Sequence, residues 1–455
     1  MDVSIEILCF IIQIILVGYS VKVWHWRCFL SPGFYFGCIW GIGTIGVLLF
    51  EEFDLIQIVY RENIKELYVF VGFTALCFLF FTWYYRNKID KNHLVEIDII
   101  ANYQWFKILS IIVLIISLST FVSAGASFDM GNSREHMHEA VEKQSVFTGY
   151  GQGIALPLSI IAGSILGKLF QKKIRMKLWN KIFLFVPLIA NLFFSIYLGG
   201  RVNFVYGFIQ YAIGFCLTLK INSSKIISRK IFIIVLSGGI GLSVFISLVA
   251  AQRQQHYTGH SQQYELIAQQ GPIYEVLYGP MEYMTASFNG YQFRRYDAVD
   301  EYHLGYGIYT FNGFINWTLP FANRFGLENT SIADLFDVRY NPQETYDYKR
   351  TFYYTTHSAY IPLIKDFGPN GTYFALIFIT WISMYFFVRI QKKKSIKWAT
   401  TIFFFYIFLE YWMKSNYYGT LSNTIAVTFF SLLLFDIINF FVRYFKKLRY
   451  ESIAA

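Results

Sequence analysis

The side chains in this sequence that could do chemistry are one histidine and a few arginines. His357 stands in 353-YYTTHSAYIPLIKDFGPNG-371, between a Tyr/Thr-rich run and a long apolar one. A lone histidine in a loop is more often solvated or structural than catalytic, yet a neutral imidazole there suits a general base near neutral pH. Asp366 follows nine residues later, next to Lys365, with which it can simply pair. Gly368, Pro369 and Gly371 predict a turn before a helix that starts near 371. Arg201 lies in 195-SIYLGGRVNFVYGF-208, at the tip of a very short connection between two apolar runs. Two readings fit it: an arginine snorkelling to the interface, or an anion clamp. For the clamp, the guanidinium fork matches phosphate, and Gly199-Gly200 would let backbone approach a bulky ligand. Arg253, in 249-VAAQRQQHYTGH-260, is either a flank residue on lipid headgroups or a second cation at the same surface. The pairs Arg294-Arg295 and Lys349-Arg350 read as loop charges that gain interest only if their loop folds back over a membrane.

The elements that must hold these groups are membrane helices. Of the 455 residues, 55% are hydrophobic, 20% aromatic and only 15% charged, against about 25% charged in soluble domains. Apolar runs near the length of about 20 residues that crosses a bilayer as helix predict eleven spans. They lie near 3–21, 32–50, 67–85, 105–125, 151–170, 180–198, 204–219, 231–250, 371–390, 398–413 and 420–442. The reading is an all-α polytopic membrane protein. Its first run lacks a basic start, carries Glu6 and has no small-residue cleavage site, so it reads as a span rather than a signal peptide.

Alternate connections are basic, among them 86-RNKIDKNH-93, 171-QKKIRMK-177, 220-KINSSKIISRK-230, 391-QKKKSIK-397 and 443-RYFKKLRY-450. The intervening ones, such as 51-EEFDLIQIVYREN-63, are acidic or poor in lysine. The positive-inside rule then puts the N-terminus outside and the C-terminus in the cytoplasm. The net charge of +10 is on this view a topology signal, and no nucleic-acid partner is expected. Residues 1–251 are assigned to spans 1–8, 252–356 to one large outer loop, and 357–455 to spans 9–11 with a cytoplasmic tail.

That loop contains 15 tyrosines, and pieces such as 262-QQYELIAQQGPIYEVLYGPMEYMTASFN-289 space their apolar residues as amphipathic helices do. Long ordered loops in compact proteins are usually functional. Other patterns carry little. The run 149-GYGQGIA-155 opens a span and follows no strand. His256 and His260 lack an HExxH glutamate, and the five cysteines show no paired loop spacing. No metal site and no cofactor are expected. The acidic 51-EEFD-54 leaves open a base or metal-ligand role for Glu52 and Asp54 beside the reading as surface charge.

The stretch 356-THSAYIPLIKDFGPNGTYF-374 resembles the junction between the late outer loop and the following helix in bacterial O-antigen polymerases and ligases. Their pattern H-x-x-Y-x-x-x-L-x-x-x-G-x-x-G is met by His357, Tyr360, Gly368 and Gly371, with Ile364 in place of leucine. The segment 199-GGRVNF-204 is similar to that group's small-small-Arg turn. The paired R-x10-G loop motifs of some members are absent, since Ala212 and Tyr264 stand eleven positions after Arg201 and Arg253. The resemblance implies a GT-C-like fold and polymerisation of polyprenyl-diphosphate-linked oligosaccharide repeats into O-antigen or a related surface polysaccharide. It implies a site on the periplasmic face of the bacterial inner membrane, with Arg201, Arg253 and His357 catalytic and Arg294, Arg295, Arg350, Tyr354 and Tyr360 on the glycan. Its partners would be the lipid-linked donor and acceptor, the bilayer and a chain-length regulator protein. The alternatives are an O-antigen ligase, another lipid-phosphosugar glycosyltransferase centred on Glu52 and Asp54, and a lipid-linked glycan flippase.

Overall fold

In the computed structural model of the protein, the described residues are 3–52, 58, 60–88, 99–123, 146–173, 175–197, 202–218, 358 and 360–392. Described beyond these are the helical residues 237, 241, 285, 287, 288, 290–292, 295, 437, 440, 441 and 444. The expected spans near 231–250, 398–413 and 420–442 fall almost wholly outside this set. The described elements are all helical: α1 (Val3–Trp24), a 3-10 turn (His25–Leu30), α2 (Pro32–Glu52), α3 (Arg61–Tyr85), α4 (Ile99–Ser123), α5 (Val146–Lys172), α6 (Leu178–Phe183), α7 (Val186–Tyr197), α8 (Val202–Leu217) and α9 (Tyr360–Lys392). Six of them, α1 to α5 and α9, are long and apolar enough to cross a membrane. The chain is an all-α, multi-pass membrane protein.

Most helices sit where hydrophobic length predicts them; two differ, each for a local reason. The run expected as one span at 180–198 is divided into α6 and α7 by a tight turn at Leu184-Phe185. Pro187 has no N–H to offer the carbonyl a turn earlier, and the chain substitutes short bonds from Leu184 to Lys181 and from Phe185 to Ile182. In α9, helix begins at Tyr360 instead of near 371. The turn expected from Gly368 and Pro369 is real but lies inside the element. Gly368 takes φ 70°, a left-handed value that glycine adopts without strain. Pro369 then opens the second stretch, where a missing N–H is no loss. Thr372 closes the break by donating to the Gly368 carbonyl at 2.8 Å.

Two groups of helices form the bundle. In the first, α1, α3 and the later part of α9 run parallel, and α2 runs against them. Trp24 at the end of α1 meets Phe387 late in α9 (ring centroids 5.2 Å), while Phe36 of α2 meets Phe78 of α3 (5.3 Å). One end of this group is therefore acidic, with Glu6, Glu51, Glu62 and Glu66, and the other carries Lys22, Arg86, Lys88 and Arg389. In the second group α5 and α8 cross backbone to backbone. A Cβ added at Gly163 would stand 1.9 Å from the Tyr211 carbonyl oxygen, and one at Gly214 would stand 2.1 Å from that of Ile160. Such close approach through small residues is how helices associate where lipid supplies no hydrophobic drive. Asn191 of α7 adds polar glue to α5, donating to Ser159 Oγ at 3.0 Å, and also donates within its own helix to the Pro187 carbonyl at 2.9 Å.

The 3-10 turn joins the groups by packing on α8, with Cys28 toward Cys216. The C-terminus of α8 thus belongs to the basic end of the bundle. Its N-terminus, just after Arg201, belongs to the acidic end.

Candidate functional site

At the acidic end, a helical piece of the long connection lies against α3. Phe288, Tyr291, Gln292 and Arg295 recur at i, i+3, i+4 and i+7, which places them on one helical face. All four are buried. Phe288 sets its ring edge-on to Trp40 of α2 at 5.1 Å and near Tyr68 of α3 at 5.5 Å. Gln292 Oε1 accepts the Tyr60 N–H at 3.2 Å, which satisfies the otherwise uncapped start of α3, and the Gln292 backbone carbonyl accepts from Asn63 Nδ2 at 2.8 Å.

Arg295 and Tyr291 converge on Glu66. The guanidinium donates from Nε to Oε2 at 2.6 Å and from Nη2 to Oε1 at 3.1 Å, a two-pronged pairing. The Tyr291 hydroxyl donates to Oε2 at 2.8 Å. Glu66 lies about a turn and a half into α3 and keeps 27% of its side chain exposed, against 10% for Arg295. Burial first, and the Glu66 charge second, push the Tyr291 phenol well above its ordinary pKa, so it remains a donor. Beside this cluster Glu51 of α2 pairs with Arg61, and Lys65 with Glu62.

Deeper in, an aromatic box receives the start of α9. Tyr360 is 1% exposed. Its ring stacks on Phe70 (5.7 Å, 12° between planes) and lies 5.8 Å from Trp40. Its hydroxyl shares a 3.0 Å hydrogen bond with Thr74. Phe70 and Thr74 lie about 14 and 20 Å along α3 from Arg61 at 1.5 Å per residue, so α9 begins well inside the bundle. Ser358 prepares that start: its hydroxyl accepts the Tyr360 N–H, and its carbonyl the Ile361 N–H, both at 3.2 Å. Asp366 is 1% exposed on the same stretch.

No family model, curated protein or solved structure matches this chain.

Of the residues singled out from sequence, Arg295 and Tyr360 are described and stand as above. Arg201, Arg253, His357, Arg294, Arg350 and Tyr354 lie outside the described residues, as does Asp54; Glu52 is exposed at the end of α2. The chain is described up to Tyr197 and again from Val202. There α7 ends and α8 begins, and the Phe204 N–H is held by Ser195 Oγ at 2.7 Å. Phe194, close to the end of α7, is fully buried, packed near the position a Gly151 side chain would take. Sequence reasoning passed over Glu66, Asn63, Tyr291 and Gln292. The available signal was a carboxylate within a helix otherwise apolar enough to span a membrane, but a span begun at 67 leaves Glu66 outside it.

Proposed function

We propose that this chain polymerises polyprenyl-diphosphate-linked oligosaccharide repeats by glycosyl transfer at the outer face of a bacterial inner membrane. One observation carries the reading: two parts of the chain far apart in sequence, the buried face of the long connection and the start of α9 just after His357, meet around Trp40 within the first helix group. Phe288 from the connection and Tyr360 from α9 share Trp40 as a neighbour. A transferase acting on two lipid-linked glycans needs such convergence, whereas a flippase would draw cavity charges from many spans.

In the proposed chemistry a sugar hydroxyl of the acceptor repeat attacks the anomeric carbon of the donor. A new C–O bond forms as the bond to the diphosphate breaks, with inversion, and the electron pair leaves with the polyprenyl diphosphate. His357 takes the hydroxyl proton. Arg201 and Arg253 offset the charge that gathers on the diphosphate. Arg294, Arg350 and Tyr354 supply further glycan contacts, and the tyrosines of the connection offer stacking faces to sugars. The glycan pattern of a deletion strain tests this. Single repeats on the carrier acceptor with no ladder support a polymerase; unattached chains of normal length point to a ligase, and lipid-linked repeats trapped inside the cell point to a flippase.

A further inference from the structure

The Glu66 cluster is more elaborate than packing requires. An apolar face on residues 285–295 would cover α3 as well, and ion pairs of this kind are often no more stabilising than apolar replacements of similar size. What a carboxylate–guanidinium fork adds is registry, because the two parallel bonds form in one orientation. Here the fork is joined by a third donor, Tyr291, and by the two bonds of Gln292 one turn away. The five bonds reach three positions at the start of α3, namely its N-cap Tyr60, Asn63 and Glu66. Slippage of the segment by one residue along α3 would lose them together.

The registry has a consequence one layer down. The same helical face carries Phe288, whose ring is set against Trp40 and Tyr68. Trp40 in turn borders Tyr360, three residues after His357. The ion pair therefore fixes the wall against which Tyr360, at the start of α9, is laid.

We propose that Glu66 is a positioning residue that latches the 285–295 segment onto α3, and that Arg295 serves this latch instead of contacting a glycan. The latch follows from geometry alone; its effect on catalysis rests on the glycosyl-transfer reading above. Glu66 touches no reacting atom in this scheme and acts through Phe288 and Trp40.

The test uses the full chain in lipid nanodiscs, as wild type, Glu66→Ala, Glu66→Gln and Arg295→Lys. Hydrogen–deuterium exchange is followed in peptides covering 285–295, with α5 and α8 as folding controls, and polymerisation kinetics are measured on the same samples. Glu66→Ala should speed exchange of the segment about tenfold or more, because its charged partner is left unmatched, while α5 and α8 exchange as in wild type. Glu66→Gln, with the same size and one acceptor oxygen, should fall between. In both variants kcat should drop with little change in KM for the donor, the mark of a misplaced wall and not of a lost substrate contact. If Glu66→Ala does not fold, Arg295→Lys, which keeps the charge but not the fork, carries the same expectations. Unchanged exchange at 285–295 overturns the latch. Faster exchange with unchanged kcat overturns the positioning role. A wild-type chain that transfers nothing overturns the glycosyl-transfer reading and the positioning role with it, while the exchange arm still decides the latch.

Discussion

Gly163→Ala is the substitution for which this structure predicts the largest effect for the smallest change. The added methyl would stand 1.9 Å from the Tyr211 carbonyl oxygen, and Gly214→Ala repeats the conflict from the other helix, 2.1 Å from the Ile160 oxygen. Close C···O contacts between helices settle near 3.3–3.6 Å, so for Gly163→Ala α5 and α8 must part by about 1.4–1.7 Å at that level. Neither obstacle is a side-chain tip that could swing aside; each is backbone. Overpacking of this kind costs about 1–3 kcal/mol. The two glycines face the same crossing, so the double variant should cost less than the sum of the singles. Gly18→Ala is the control: nothing lies within 4 Å of its added Cβ, and alanine gains about 0.5–1 kcal/mol over glycine inside a helix. The assay is thermal denaturation of the purified chain in detergent, following the monodisperse fraction. Gly163→Ala should melt well below wild type and Gly18→Ala at or above it. Equal melting of the two would refute the backbone crossing.

Other expectations follow from single contacts. Thr74→Val and Tyr360→Phe each remove one side of a buried hydrogen bond, and a double-mutant cycle should show coupling of about 0.5–1.5 kcal/mol in stability. Gly368→Ala places a Cβ at φ 70°, ψ 171°, a region essentially confined to glycine, and should cost about 1–3 kcal/mol, read as a lower melting temperature with α9 otherwise intact. Tyr291→Phe deletes a hydrogen bond to a carboxylate, about 1.5–3 kcal/mol, and should raise amide exchange at 285–295. The same residue sets an alkaline limit. The folded phenol stays neutral well above pH 10 while an unfolded tyrosine ionises near 10. Its contribution is complete below about pH 10 and drains away as pH rises beyond it, so Tyr291→Phe should flatten that part of a stability–pH curve.

The sequence makes the spans legible because length and hydropathy are local properties. It was less informative wherever a distant partner decides the outcome. Nothing near Gly163 or Gly214 names the other as its neighbour, although small residues four apart, such as Gly163 and Gly167, are visible in the chain. The start of α9 was placed too late because Gly-Pro-Asn-Gly ordinarily ends regular structure; here one left-handed glycine absorbs the whole bend and helix lies on both sides. Arg295 read as an ordinary loop charge until the loop was seen to fold back onto α3. Glu66 was missed since its only local sign is its helix, and that helix starts at Arg61, before the apolar run that betrays it.

The central claim is transfer between two lipid-linked glycans with His357 as the base. It is tested most directly with the purified chain in proteoliposomes, supplied with one polyprenyl-diphosphate-linked repeat unit and assayed for a product ladder. The account predicts a ladder from wild type and none from His357→Ala at matched protein levels. A His357→Ala chain that polymerises at the wild-type rate would contradict it.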